Sequence, residues 1–157
     1  MAESRRSRPG AEQSGGDPLR TLVRNLARDL DVKVAFICEL VDEEHARTLA
    51  LSVDGRILDN LRYRLAGTPC AGVYEEGRSY LPRETAAAFP QDALLADWNI
   101  DAYLGVAFFD AGGKPMGHVG IMNDRHLTDV VRCESRLRED AQRARTEVER
   151  RREHSAG

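Results

Sequence analysis

The sequence predicts an α+β fold, an antiparallel β-sheet covered by helices. Three features carry that expectation. Two apolar runs, residues 103–109 (YLGVAFF) and 116–122 (MGHVGIM), flank Asp110-Ala111-Gly112-Gly113-Lys114-Pro115, where glycine and proline break any helix and supply the angles of a chain reversal. Leu19, Leu22, Val23, Leu26 and Leu30 recur at helical spacing, with Arg20, Arg24 and Arg28 on the other side. Residues 129–152 form a long charged stretch that again keeps a helical period.

The chain of 157 residues suits one domain, and 41% hydrophobic residues suffice for its core. A net charge of −3 offers no clustered positive surface, so no nucleic-acid partner is expected. Cys38, Cys70 and Cys133 are widely spaced, and no CxxC pair writes a zinc or dithiol motif. The polar N-terminus has no signal-peptide h-region, and neither apolar run approaches the roughly 20 residues needed to cross a bilayer. A cytoplasmic chain without membrane contact is expected.

Residues 1–16 hold almost no apolar side chain and are expected to be disordered. Asp17-Pro18 then opens a helix, Asp as N-cap and Pro in the first turn, and that helix ends near Asp31. Residues 34–40 read as a strand, Asp42-Glu43-Glu44-His45 as a polar turn, and residues 48–53 as a second strand. Strict alternation in the latter puts Leu49, Leu51 and Val53 on one face, and Thr48, Ala50 and Ser52 on the other. Asp54-Gly55 is a turn, and Leu61, Tyr63 and Leu65 alternate along the next extended piece.

In Gly67-Thr68-Pro69-Cys70, Gly67 ends the extended segment, Thr68 is expected to cap a helix and Pro69 to open it. Cys70 then falls in the first turn, where the helix dipole would lower its thiol pKa. Leu94, Leu95 and Trp98 share one face of a short helix that begins after Phe89-Pro90. In the C-terminal stretch Leu127, Val130, Leu137, Ala141, Ala144 and Val148 step by threes and fours, with Glu134 filling the gap in the register; this is a heptad seam suited to pairing two helices.

Taken in order, Tyr63-Arg64-Leu65-Ala66-Gly67-Thr68-Pro69-Cys70, Phe89-Pro90-x-Asp92-x-Leu94-Leu95, Tyr103-Leu104-Gly105-Val106 and Gly117-His118 resemble a GAF domain of the bacterial sensor and signal-transduction type. The resemblance implies a GAF/PAS-like antiparallel sheet of five to six strands, with helices on one face and a roofed pocket on the other, followed by the long helix. It divides the chain into a tail (1–16), a GAF domain (17–127) and a signalling helix with a frayed end (128–157). It implies a sensor for an unidentified small molecule, with no cofactor, acting as a homodimer on an unknown partner or output module.

The pocket residues expected on that reading are Tyr63, Cys70, Tyr74, Tyr80, Trp98, Tyr103 and His118. No catalytic or metal-binding residue is assigned. Many relatives follow the Pro-Cys pair with an acidic residue, which Ala71 and Gly72 replace here, so the capping box is absent. Phytochrome-like GAF domains usually place His directly after the cysteine; Ala71 at that position argues against bilin attachment. The Asn-Lys-Phe-Asp-Glu motif of cyclic-nucleotide-type GAF domains is absent. Three alternatives remain at this stage: a dimerising adaptor that binds no ligand, a cysteine-dependent reductase of free methionine sulfoxide using Cys38 and Cys70, and a chromophore or haem protein, which a visible absorption band would reveal.

Overall fold

The computed structural model describes residues 16–156, and the tail expected to be disordered lies, apart from its last residue, outside them. Helix α1 (Pro18–Leu30) begins where the Asp17 carboxylate accepts the Leu19 amide at 2.9 Å and stops at Asp31, whose φ of 54° is left-handed. It buries Leu19, Val23, Leu26 and Leu30, each contributing about 1.5–3 kcal/mol relative to exposure.

The sheet contains β1 (Val34–Leu40), β2 (His45–Val53), β3 (Arg56–Ile57), β4 (Arg62–Arg64), β5 (Arg78–Leu81), β6 (Ala102–Phe109) and β7 (Pro115–Asn123). Its order is β3-β2-β1-β7-β6-β5, with β4 also pairing with β2. The 103–109 and 116–122 runs form the antiparallel pair β6–β7, and β7 pairs on its other side with β1. All three strands are buried on both faces, as near-continuous apolar runs require. Asp54 and Gly55, both at positive φ, make the tight turn that joins β2 to β3.

The cover consists of short helices, α2 (Ala71–Glu76), α3 (Thr85–Ala88) and α4 (Ala93–Asp97), while α5 (Val130–Ala156) closes the opposite face. Two cores result. One lies between the sheet and the α1/α5 layer, with Leu26, Ile37, Leu104, Ile121, Leu137 and Ala144. The other lies between the sheet and the cover, with Phe36, Cys38, Leu51, Cys70, Leu95 and Tyr103.

Three expectations are corrected. The alternation assigned to 48–53 fails because Ile37 pairs with Ala50 while Cys38 pairs with Thr48, leaving Leu49 as the extra residue of a β-bulge. The bulge turns Thr48 onto the cover face beside Leu51, and Leu49 packs with Ala50 toward the helices. Asn60 holds it, accepting the Thr48 hydroxyl hydrogen bond at 2.9 Å and donating to the Leu49 carbonyl at 3.3 Å. Secondly, β2 starts at His45, inside the segment read as a turn; the His45 amide and imidazole both meet the Asp42 carboxylate. Thirdly, the heptad seam of α5 is not free: Leu137, Ala141, Ala144 and Val148 are at most 3% exposed within this single chain. Ion pairs fasten the same helix to α1, with Arg136 reaching Asp29 and Arg151 reaching Asp17.

Candidate functional site

Between the cover face of the sheet and the segment 61–98 lies a cavity of about 90 Å³. Its floor is Phe36 and Cys38 from β1, Thr48 and Leu51 from β2, and Met122 from β7. Leu61 and Tyr63, the Thr68-Pro69-Cys70 turn, and Asp92, Leu94, Leu95 and Trp98 around α4 form the wall and roof. The floor exists because the even-numbered residues of β1 face the cover and the Leu49 bulge adds Thr48 to it.

Of the seven residues expected in the pocket, Tyr63, Cys70 and Trp98 line it. Tyr103, Tyr74 and His118 sit on the same face of the sheet, behind its lining. The fully buried Tyr103 hydroxyl donates to the Cys70 sulfur at 3.3 Å, and the Tyr63 hydroxyl lies 3.3 Å from the Cys38 sulfur. His118 Nδ1 hydrogen-bonds the Tyr74 hydroxyl, while its buried Nε2 has no partner among the described residues. Phe36 separates this pair from Tyr103, edge-on to His118 at 5.4 Å and tilted to Tyr103 at 6.4 Å. Tyr80 is the exception. On β5 and paired with Leu104 of β6, it packs on the α1/α5 side and is not among the cavity's lining residues.

The local structure at Cys70 also departs from expectation. Thr68 does not cap a helix; its hydroxyl donates back to the Leu65 carbonyl at 2.8 Å, stabilising the turn that Gly67 opens at φ 80°. Cys70 is itself the N-cap of the six-residue α2, without a side-chain capping bond. Its thiol pKa is raised, not lowered, because burial outweighs hydrogen bonds from Tyr103 and Tyr63. Burial likewise raises Cys38, and pushes the Tyr63, Tyr74 and Tyr103 phenols upward. For His118 burial acts in the other sense, lowering its pKa to about 3 and keeping the ring neutral. Neutral thiols, phenols and imidazole make this a hydrogen-bonding interior.

Sequence reasoning did not assign Phe36, Thr48, Leu51, Asp92 or Met122 to the cavity, and reached Cys38 only through the reductase alternative. Alternation along β1 was sufficient to find Phe36 and Cys38; the bulge hid Thr48. Among the described residues, no group of three or more His, Cys, Asp or Glu side chains is arranged to hold a metal ion. None of the described helices is long and apolar enough to cross a membrane.

No protein-family model matches the sequence. A comparison with curated proteins also finds no match. Solved structures do match in fold. The A. aeolicus nlh2 GAF domain in an inactive state superposes with a TM-score of 0.56 at 15% identity, over 78% of this chain and 75% of that one. The chromophore-binding domain of the R. palustris bacteriophytochrome RpBphP3 gives 0.57 at 10% identity, over 80% of this chain; the chain spans about half of it, 53%. A Staphylococcus aureus NreA protein mutated in its nitrate binding site gives 0.53 at 14% identity, over 69% of this chain and 83% of that one. With the antiparallel sheet, the helices on one face and the roofed cavity on the other, this likeness of fold makes the chain a GAF-fold domain.

Proposed function

We propose that this chain is a non-catalytic sensory domain whose cavity takes a small, largely apolar ligand and whose terminal helices report occupancy to a partner or output module. The observation that carries the reading is the cavity itself, with its apolar walls and its few polar groups from Cys38, Cys70, Tyr63, Thr48, Thr68 and Asp92. Its 90 Å³ is far below the several hundred Å³ of drug-sized ligand sites, so a compact molecule is implied. The RpBphP3 domain binds a chromophore and NreA has a nitrate binding site, which shows that the fold accommodates ligands in those proteins. A bilin is too large for this cavity, and among the described residues no arginine or lysine lines it to hold an anion. The raised thiol pKa values support a role without covalent chemistry.

The route for a signal is short. Phe36 touches the cavity, while Ala35 and Ile37 on the same strand pack toward α1 and α5. A ligand that favours one placement of β1 biases the helix layer by its differential contacts alone. Homodimerisation belongs to the same proposal, through the exposed faces of α1 and α5, since the inner seam is occupied. The test uses spin labels at the exposed positions Arg20 and Glu139. A ligand that shifts the Leu51 and Met122 methyl resonances should change the label distance; an unchanged distance at saturation ends the sensing claim.

The small volume favours a second reading, a dimerising adaptor that needs no ligand. It predicts that filling the cavity, as in Cys38→Met, leaves assembly and partner binding unaltered. The reductase reading is weaker and fails if Cys70→Ser leaves sulfoxide reduction unchanged.

A further inference from the structure

Among the described residues, one charged group lines the cavity. Asp92, half-buried before α4, shares the lining with Tyr63, Trp98 and Phe36, and no described arginine or lysine joins it there. Only burial and the amides of Leu94 and Leu95 act on its carboxyl. Burial dominates and pushes the pKa up, and among the described residues no cation faces the carboxyl. The Leu94 and Leu95 amides at the start of α4 face this carboxyl, but they carry no full charge to balance it.

A carboxylate that shares the lining with Tyr63 and Trp98 selects positive charge by direct attraction, and aromatic side chains in the same lining suit a cation as well. The floor beyond them is Phe36, Leu51 and Met122, which favours hydrocarbon. A volume of about 90 Å³ equals roughly three waters' share of the liquid, space for a chain of a few carbons.

We propose that the cavity takes a small organic cation, a protonated short-chain alkylamine, with its ammonium at Asp92, Tyr63 and Trp98 and its alkyl part toward Phe36, Leu51 and Met122. This rests on reading the cavity as a ligand site and adds the chemical class of the ligand. A carboxylate ligand of the same length is repelled, and an alcohol leaves Asp92 without a counter-charge.

The test compares n-propylammonium, n-propanol and propionate, each titrated at neutral pH into the full chain and followed by the methyl resonances of Leu51, Leu95 and Met122. The amine should bind at least tenfold more tightly than the alcohol, and propionate should not bind. Asp92→Asn keeps a side chain able to cap a helix and removes the charge; it should erase the amine's advantage over the alcohol. Trp98→Leu should reduce the advantage in part. Equal binding of amine and alcohol to the unaltered chain overturns cation selection while the cavity remains a ligand site. Failure of all three probes to shift those resonances overturns both the cation proposal and the ligand reading beneath it. The comparison on the unaltered chain decides the matter whether or not a variant folds.

Discussion

The imidazole of His118, in the middle of the sheet, shares a hydrogen bond with the phenol of Tyr74 on α2, joining the cover to the central strand β7. The ring is wholly buried and its pKa falls from 6.5 to about 3 through desolvation. The unfolded chain therefore binds a proton between those values that the folded chain refuses. Its contribution to stability is fully present above about pH 6.5 and is lost as pH falls, by about 1.4 kcal/mol per unit, down to about pH 3. Urea unfolding at about pH 7.5 and pH 5 should show a drop that is smaller in His118→Gln. Parallel losses in both proteins would refute this.

The Phe36 ring lies across Gly120, so a β-carbon there would collide with it. Gly120→Ala is expected to destabilise by about 1–3 kcal/mol through overpacking. Adding Phe36→Leu should recover part of the loss, which a double-mutant cycle in urea would reveal.

Arg136 joins Asp29 on α1 to Asp140 on α5, whose side chain is only 1% exposed. Arg136→Met leaves that buried carboxylate with Arg143 alone, at a cost of about 1–3 kcal/mol. Arg47→Met, which breaks a surface pair with Glu39, should cost under about 1 kcal/mol. The ranking of the two thermal midpoints checks it.

Leu137 is fully buried against α1 and the sheet. Leu137→Ala should cost about 2–5 kcal/mol, and the loss should not depend on protein concentration, because the contacts lie inside one chain. A concentration-dependent loss would mean that this residue pairs between copies.

Cys38, Cys70 and Cys133 are all free and buried. Under native conditions at neutral pH, a thiol reagent should modify them slowly, at rates limited by opening of the structure, and unfolding in urea should expose three reactive thiols. Rapid reaction of Cys70 in the folded protein would contradict its raised pKa.

What could be read from the residues was what depends on local periodicity and punctuation. The α1 start at Asp17-Pro18, the β6–β7 hairpin around its glycines and proline, and β1 at 34–40 all obey such rules. What escaped depends on partners distant in sequence. The bulge at Leu49 is held by Asn60, eleven positions away, and no glycine marks it. Cys70 misled because a helix start was weighed without the Tyr103, Tyr63 and Leu95 around it, and desolvation prevailed over the dipole. The α5 seam misled because a stripe that matches another helix also matches α1 and a sheet. Tyr80 was an aromatic in the right segment but on the wrong side of a four-residue strand.

The extra residue at Leu49 also sets a rule for tolerated change. Before it, even positions such as Ala46 and Thr48 look toward the cover; after it, odd positions Leu51 and Val53 do. Removing one amino acid from β2 on the far side of that kink would exchange inside for outside along half the strand, whereas removing Leu49 itself would restore an unbroken ladder. A shortened chain lacking only that leucine is thus the gentler deletion, despite taking away the larger side chain.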